Sequence, residues 1–156
     1  MLMRKWLDAY VRLALTLWVG GMWAIGYLVV PILFARAGDR QLAGQLAGYL
    51  FEGAGKVGLA LGCSLIAYWA WRCGQNALRR IDFWLPAVMT LLAALGFLLL
   101  QPEMAALKAA VAPQDVMQSA LKDRFVAWHA ASSMLYMVQS LLGLWAVVRM
   151  GGMQEA

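Results

Sequence analysis

Charged side chains are scarce in this chain, and their scarcity excludes an ordinary soluble domain. Only 13% of the 156 residues are Asp, Glu, Lys or Arg, whereas 63% are hydrophobic. Soluble domains have about 25% charged and about half apolar residues, so this composition is typical of a membrane protein. The formal net charge is +5, but the basic residues stand singly or in pairs between apolar stretches, which disfavours a nucleic-acid partner.

Motifs for redox chemistry and catalysis are also missing. The two cysteines, Cys63 and Cys73, belong to no CxxC pair. On one helix they would lie roughly 15 Å apart, too far for an intrachain disulfide. The sequence has no phosphate-binding loop, no zinc-ligand spacing and no nucleophile placed beside a base and an orienting acid. We therefore expect a protein that is not an enzyme.

Long apolar stretches, in contrast, dominate the sequence. Four of them predict membrane-spanning helices, at about residues 10–34, 53–72, 83–101 and 125–148, since a bilayer needs roughly 20 apolar residues per helix. We expect one all-α domain over residues 1–156, a bundle of four transmembrane helices with short amphipathic helices on one side. The amphipathic segments are predicted at Gln41–Phe51 and between Gln101 and Asp123.

An even number of spans places both termini on the same side of the membrane. The short connection between spans two and three carries Arg72, Arg79 and Arg80, and short basic loops tend to remain in the cytoplasm. We therefore predict that both termini are cytoplasmic.

Two residues predict local features of the helices. Pro31 has no N–H, so the carbonyl of Tyr27 loses its partner and a kink is expected near there. Asp82 stands just before the third span, where its carboxylate could cap the helix.

Small residues recur at four-residue spacing in the first two spans. Thr16, Gly20 and Ala24 form a stripe in span one, and Gly58 and Gly62 form a GxxxG pair in span two. Such stripes let two helix backbones approach closely. We expect the two stripes to complement each other.

The fourth span combines enough apolar length to cross a bilayer with the only histidine of the chain. A polar stripe follows His129 at steps of three and four residues, and its members are Ser132, Ser133, Tyr136, Gln139 and Ser140. Inside a membrane such a face must turn toward protein or water. Hydrogen bonding between helices explains the stripe, and a hydrated groove for a small polar solute is the alternative.

His129 lies about one turn into span four, at the same predicted end as Glu52 and Glu103. A histidine with carboxylates can hold a metal ion or move a proton, so these three residues are the candidates for a metal site. The leading hypothesis is therefore a non-enzymatic membrane protein that handles a metal ion or a small solute there. A hydrogen bond from His129 to a neighbouring helix is the simpler interpretation.

Two other functions remain open. The chain could be an accessory or assembly subunit of a larger membrane complex, or a homo-oligomer, that docks through its helix faces. It could also carry a haem, but this cofactor is less favoured than a metal ion because one histidine cannot supply two axial ligands to the iron.

Three segments resemble a known family: Leu17–Phe34, Asp39–Phe51 and Phe125–Tyr136. They are similar to small four-span bacterial membrane proteins of unknown function that are grouped with eukaryotic transmembrane protein 205. The resemblance implies one four-helix domain in the bacterial inner membrane. Its shared positions correspond here to Gly20, Gly21, Pro31, Phe34, Phe51, His129 and Ser133.

This chain departs from the eukaryotic relatives at two places. They tend to begin the first span with a histidine, where this chain has Arg12 and Leu13, and to have asparagine where Tyr136 stands. Both departures disfavour a cofactor site built on two histidines.

Overall fold

The computed structural model describes the backbone from Leu2 to Gly152 and the side chains from Trp6 to Arg149. Over this range the structure contains helices and turns but no strand, so the expected all-α fold is confirmed. The α-helices are α1 (Leu2–Trp23), α2 (Val30–Arg36), α3 (Arg40–Cys73), α4 (Ile81–Leu95), α5 (Gln101–Val111) and α6 (Lys122–Gly152).

Short π segments join some of these helices into longer ones. One π segment, Ala24–Val29, connects α1 to α2, and another, Gly96–Leu100, connects α4 to α5. The described chain has four helical stretches that are long and apolar enough to cross a membrane: Trp6–Arg36, Arg40–Arg79, Ile81–Val111 and Lys122–Arg149. The second of them includes the 3₁₀ turn Gly74–Arg79 at its end. Each contains one predicted span and extends past its predicted limits.

The four long helices pack in a ring in which each packs mainly against two others. α1 packs against α3 and α6, and α4 packs against the same two helices. On α1 the buried side chains recur at steps of three and four residues, so a single face of the helix supplies them to the core. The central core residues include Leu15, Trp18, Leu65, Trp69, Leu85, Met89 and Ala146.

Because the chain runs up and down, the bundle has two ends. The proximal end holds the beginning of α1, the end of α6 and the 3₁₀ turn Gly74–Arg79 between α3 and α4. The distal end holds the turn at Gly38, which has a positive φ of 67°, and the segment between α5 and α6, which contains the 3₁₀ turn Val116–Gln118.

Both predicted amphipathic segments lie at the distal end. Gln41–Phe51 and Gln101–Val111 are parts of long helices, whereas residues 112–121 form turns and a short 3₁₀ segment. Gln41–Phe51 is the first part of α3 and so extends span two. It begins after Asp39, whose carboxylate accepts a hydrogen bond from the backbone N–H of Gln41 at 2.8 Å. Lys108 of α5 donates to the carbonyl oxygen of Gly44 at 3.1 Å, which holds α5 against α3.

A π segment lies at the place where the sequence predicts a kink, near Tyr27. The N–H of Val30 bonds to the carbonyl of Ile25, five residues earlier, just before Pro31. Since proline cannot donate, a shift of the hydrogen-bond ladder from four- to five-residue spacing accommodates the missing bond. The second π segment likewise ends two residues before a proline, Pro102, and the helix continues through it into α5.

Candidate functional site

His129 lies on α6 near the distal end, and its side chain is exposed. Its ring stacks on that of Phe125, one turn earlier, with the ring centroids 6.0 Å apart and 11° between the planes. The Ser133 hydroxyl donates to the backbone carbonyl of His129 at 2.9 Å. The imidazole therefore packs on Phe125 of its own helix, and the rest of its surface is exposed on the outside of the bundle.

The structure does not bring His129, Glu52 and Glu103 together as a metal site. Within the part of the chain that it describes, no group of three His, Cys, Asp or Glu side chains could hold a metal ion. Glu52 instead accepts from the ammonium of Lys56 at 2.7 Å, and Glu103 is exposed in the first turn of α5. A common depth along a bundle does not determine the direction in which a side chain points, so the expected cluster does not form.

The polar stripe of α6 divides into an exposed and an enclosed part. Ser133 is exposed and Ser132 is half-buried, whereas Gln139 and Ser140 are buried. The Tyr27 hydroxyl donates to Ser140 Oγ at 3.1 Å. The enclosed part thus turns toward the first long helix, as expected for hydrogen bonding between helices.

Tyr136 of α6 packs against the first π segment and the end of α1. Its hydroxyl donates to the backbone carbonyl of Met22. A Cβ atom on Gly26 would lie only 2.5 Å from Cε1 of the Tyr136 ring. The absence of a side chain at Gly26 is therefore what lets the phenol reach the backbone of the neighbouring helix.

The two small-residue stripes do not meet, contrary to the expected pairing. A Cβ atom on Gly58 would lie 2.7 Å from the indole nitrogen of Trp18, and Gly62 is packed against Thr90. In contrast, a Cβ atom on Gly20 would meet no atom within 4 Å, and Ala24 is exposed. Gly58 and Gly62 pack against side chains inside the bundle, whereas the stripe on α1 faces outward.

An open groove of about 480 Å³ lies at the distal end between the second π segment and α6. It is almost entirely apolar, with Glu103 as its only charged lining residue. His129 does not line it, although its neighbour Trp128 does. The lining residues are Leu95, Leu98, Leu99, Leu100, Pro102, Glu103, Trp128, Ala131 and Leu135.

The proximal end contains an ionic cluster around Asp82. This carboxylate is only 6% exposed, and it accepts from Arg80 Nη2 at 3.3 Å and from Arg149 Nε at 3.0 Å. It makes no side-chain capping bond to the start of α4, so the predicted cap is wrong. An acid beside an arginine pair, with another arginine at the end of the last span, is the sequence signal that identifies this cluster.

Trp69 lies at the centre of the proximal end. The guanidinium groups of Arg72 and Arg80 lie 5.7 and 5.5 Å from its ring, and Arg72 also pairs with Asp8 at 2.6 Å. The indole N–H is buried and has no hydrogen-bond partner among the described residues. It lines a cavity of about 10 Å³ together with Asp82 and Arg149, roughly the space that one water molecule needs.

Comparison with protein families gives a match that covers more than half of the chain. The family described as "domain of unknown function (DUF4149)" matches residues 13–112. The chain belongs to the DUF4149 family. No curated protein and no solved structure matches it.

The DUF4149 match covers most of the first three long helices, and with them Gly20, Pro31 and Asp82. His129 and its polar stripe lie on α6, beyond the matched residues. Membership of an unknown-function family is thus confirmed, whereas the finer resemblance to transmembrane protein 205 stays a prediction.

Proposed function

We propose that this DUF4149 chain is a non-enzymatic protein of the bacterial inner membrane that serves as an accessory subunit of a larger membrane complex. Four helices of sufficient length and apolarity support insertion into a bilayer. The short proximal connection with Arg72, Arg79 and Arg80 supports a cytoplasmic position of both termini. The outer surface of the bundle then meets lipid and neighbouring proteins.

The observation that carries the proposal is the open stripe of small residues on α1. Thr16, Gly20 and Ala24 are all exposed, and a Cβ atom on Gly20 or on Gly21 would meet no atom within 4 Å. Glycine inside a helix is destabilising by about 1 kcal/mol relative to alanine, and no contact within the described chain requires it here. A second transmembrane helix could approach this stripe closely.

The exposed imidazole of His129 supports the same interpretation. It stands five positions after Arg124, which places it roughly 8 Å further along the helix axis than the last charged residue before the span. A polar ring at that depth needs a hydrogen-bond partner, because acyl chains offer none. The proposed partner is therefore a different membrane protein, with a small-residue helix face against Gly20 and a hydrogen-bonding group within reach of His129.

Native mass spectrometry of the chain, extracted from its own membranes in mild detergent, tests this proposal. We expect a complex with a second protein of defined mass. Gly20→Leu should dissociate the partner, because the leucine fills the space that the partner helix would occupy. Gly48→Leu is the matched control, since a Cβ atom at Gly48 also meets nothing within 4 Å but lies on α3.

Loss of the partner from the Gly20→Leu variant alone would support an accessory role. A monomer, a homodimer as the only assembly, or equal partner retention by both variants would each contradict it. No group of three His, Cys, Asp or Glu side chains among the described residues could hold a metal ion, so metal handling around His129 has no such ligand set to support it. Small-solute handling and haem binding stay predictions.

A further inference from the structure

Arg80 and Arg149 share one buried carboxylate, and within the described part of the chain each uses only one of its donors there. Arg80 binds Oδ2 of Asp82 through Nη2, and Arg149 binds Oδ1 through Nε. A guanidinium has five N–H donors in a planar fork, so each arginine has four more to offer. The two side chains remain 49% and 43% exposed, whereas Asp82 is 6% exposed. The carboxylate therefore anchors both arginines from beneath, while their outer edges stay accessible.

Among the side chains from Trp6 to Arg149, the charge of this cluster is not balanced. Two guanidinium groups on one carboxylate leave one positive charge in excess. Arg79 adds another at the neighbouring turn, where it is exposed. The nearby Arg72 is already paired with Asp8. An anion is thus the partner that this surface favours.

We propose that Arg80 and Arg149 bind the phosphodiester group of an anionic phospholipid. A phosphodiester has two non-bridging oxygens that share one negative charge, and guanidinium forks match this geometry through paired N–H···O bonds. Because Asp82 holds both arginines in place before the lipid arrives, less side-chain freedom is lost on binding.

The neighbourhood of the two arginines favours a lipid over a free phosphate. Arg80 directly precedes the third apolar helix, and Arg149 follows the apolar part of the fourth. Ile81 and Trp84 are exposed beside Arg80, and the Trp84 indole donates to the carbonyl of Leu78 at 2.9 Å. In a bilayer this level is that of the headgroups, where tryptophan is enriched and basic pockets between helices bind acidic lipids. The inference rests on the membrane insertion included in the proposed function, but not on the partner at Gly20.

Native mass spectrometry of the purified full chain, titrated with phosphatidylglycerol or phosphatidylcholine, tests the site. We expect the wild type to retain phosphatidylglycerol and to bind phosphatidylcholine at least about tenfold more weakly. The double variant Arg80→Gln/Arg149→Gln should lose that preference. The matched control is Arg36→Gln/Arg40→Gln, which removes the same charge from exposed residues at the distal end and should keep it.

A more conservative variant tests the guanidinium geometry. Arg149→Lys keeps the charge and can still pair with Asp82, so the fold should be retained. We expect its phosphatidylglycerol affinity to fall several-fold, because an ammonium cannot form the bidentate contact. Unchanged affinity would overturn the proposed recognition.

Three further results would also overturn the proposal. These are equal binding of both lipids by the wild type, equal losses in the proximal and distal double variants, and displacement of the lipid by stoichiometric glycerol phosphate. Flotation of the chain with liposomes establishes membrane insertion separately. A failure of the arginine site is therefore distinguishable from a failure of the membrane assignment, and the Gly20→Leu experiment reports on the accessory role alone.

Discussion

The ring of Tyr136 lies where a side chain at Gly26 would have to be. The gap between a Cβ atom built on Gly26 and Cε1 of Tyr136 is 2.5 Å, and the phenol hydroxyl bonds to the carbonyl of Met22 on the same helix. One contact thus joins the first and last long helices at the first π segment. The packing of the ring on Gly26 and the hydrogen bond to Met22 can be tested by separate substitutions.

Gly26→Ala should destabilise the bundle because the added methyl group collides with an aromatic ring. We expect a loss of about 1–3 kcal/mol, the usual effect of overpacking a filled interior. Thermal unfolding in detergent micelles, followed by circular dichroism, measures it. Gly20→Ala is the control and should cost nothing, since that position is open; equal losses in both variants would contradict the contact.

Tyr136→Phe removes the hydrogen bond to Met22 but keeps the ring. Interhelical hydrogen bonds in membrane proteins contribute about 0.6–2 kcal/mol, so we expect a loss in that range. The same unfolding assay applies. No measurable loss would mean that the ring packing, and not the hydroxyl, holds the helices together.

Asp82→Asn should loosen the proximal end, because it removes the carboxylate that Arg80 and Arg149 share. Breaking a fully buried pair costs about 3–5 kcal/mol, and the half-exposed arginines reduce this to about 1–3 kcal/mol. Glu52→Gln is the comparison: its pair with Lys56 is exposed and lies within one helix, so its loss should cost about 0.5 kcal/mol or less. A lower unfolding temperature for Asp82→Asn than for Glu52→Gln would support the shared carboxylate, and the reverse order would contradict it.

His129→Ala should leave the fold intact, because the imidazole is exposed and stacks on Phe125 of its own helix. We expect a change within about 0.5 kcal/mol. Elemental analysis of the purified wild type and variant should give the same metal content. Stoichiometric metal in the wild type that the variant lacks would restore the metal-site hypothesis.

Much of the fold follows from pattern alone. The four apolar stretches predict the four long helices, since runs of that length without charge favour helix in an apolar environment. Burial of Gln139 and Ser140 agrees with the expectation that the polar face of α6 turns toward another helix. The π segments before Pro31 and Pro102 could not be predicted from the sequence. A proline predicts that one backbone hydrogen bond is missing, but it does not predict how the neighbouring helical hydrogen bonds shift in response.

The functional residues were harder to predict than the helices. Asp82 has the pattern of a helix cap, and only the position of Arg149, 67 residues later, shows that it joins two helices. His129 and the two glutamates share a predicted depth, yet their directions around the bundle depend on how each helix is rotated. Rotation is determined by packing, for example of Trp18 on Gly58.

The sequence by itself determined that the chain is helical, how many long helices it has, and which residues share a face, because hydrophobic length and helical period are local properties. Only the tertiary structure decided which faces meet. Gly58 packs beneath Trp18 inside the bundle while Gly20 is left open, and Asp82 pairs with Arg149 rather than with its own helix end. These choices depend on side chains distant in sequence fitting together, and no local pattern contains that information.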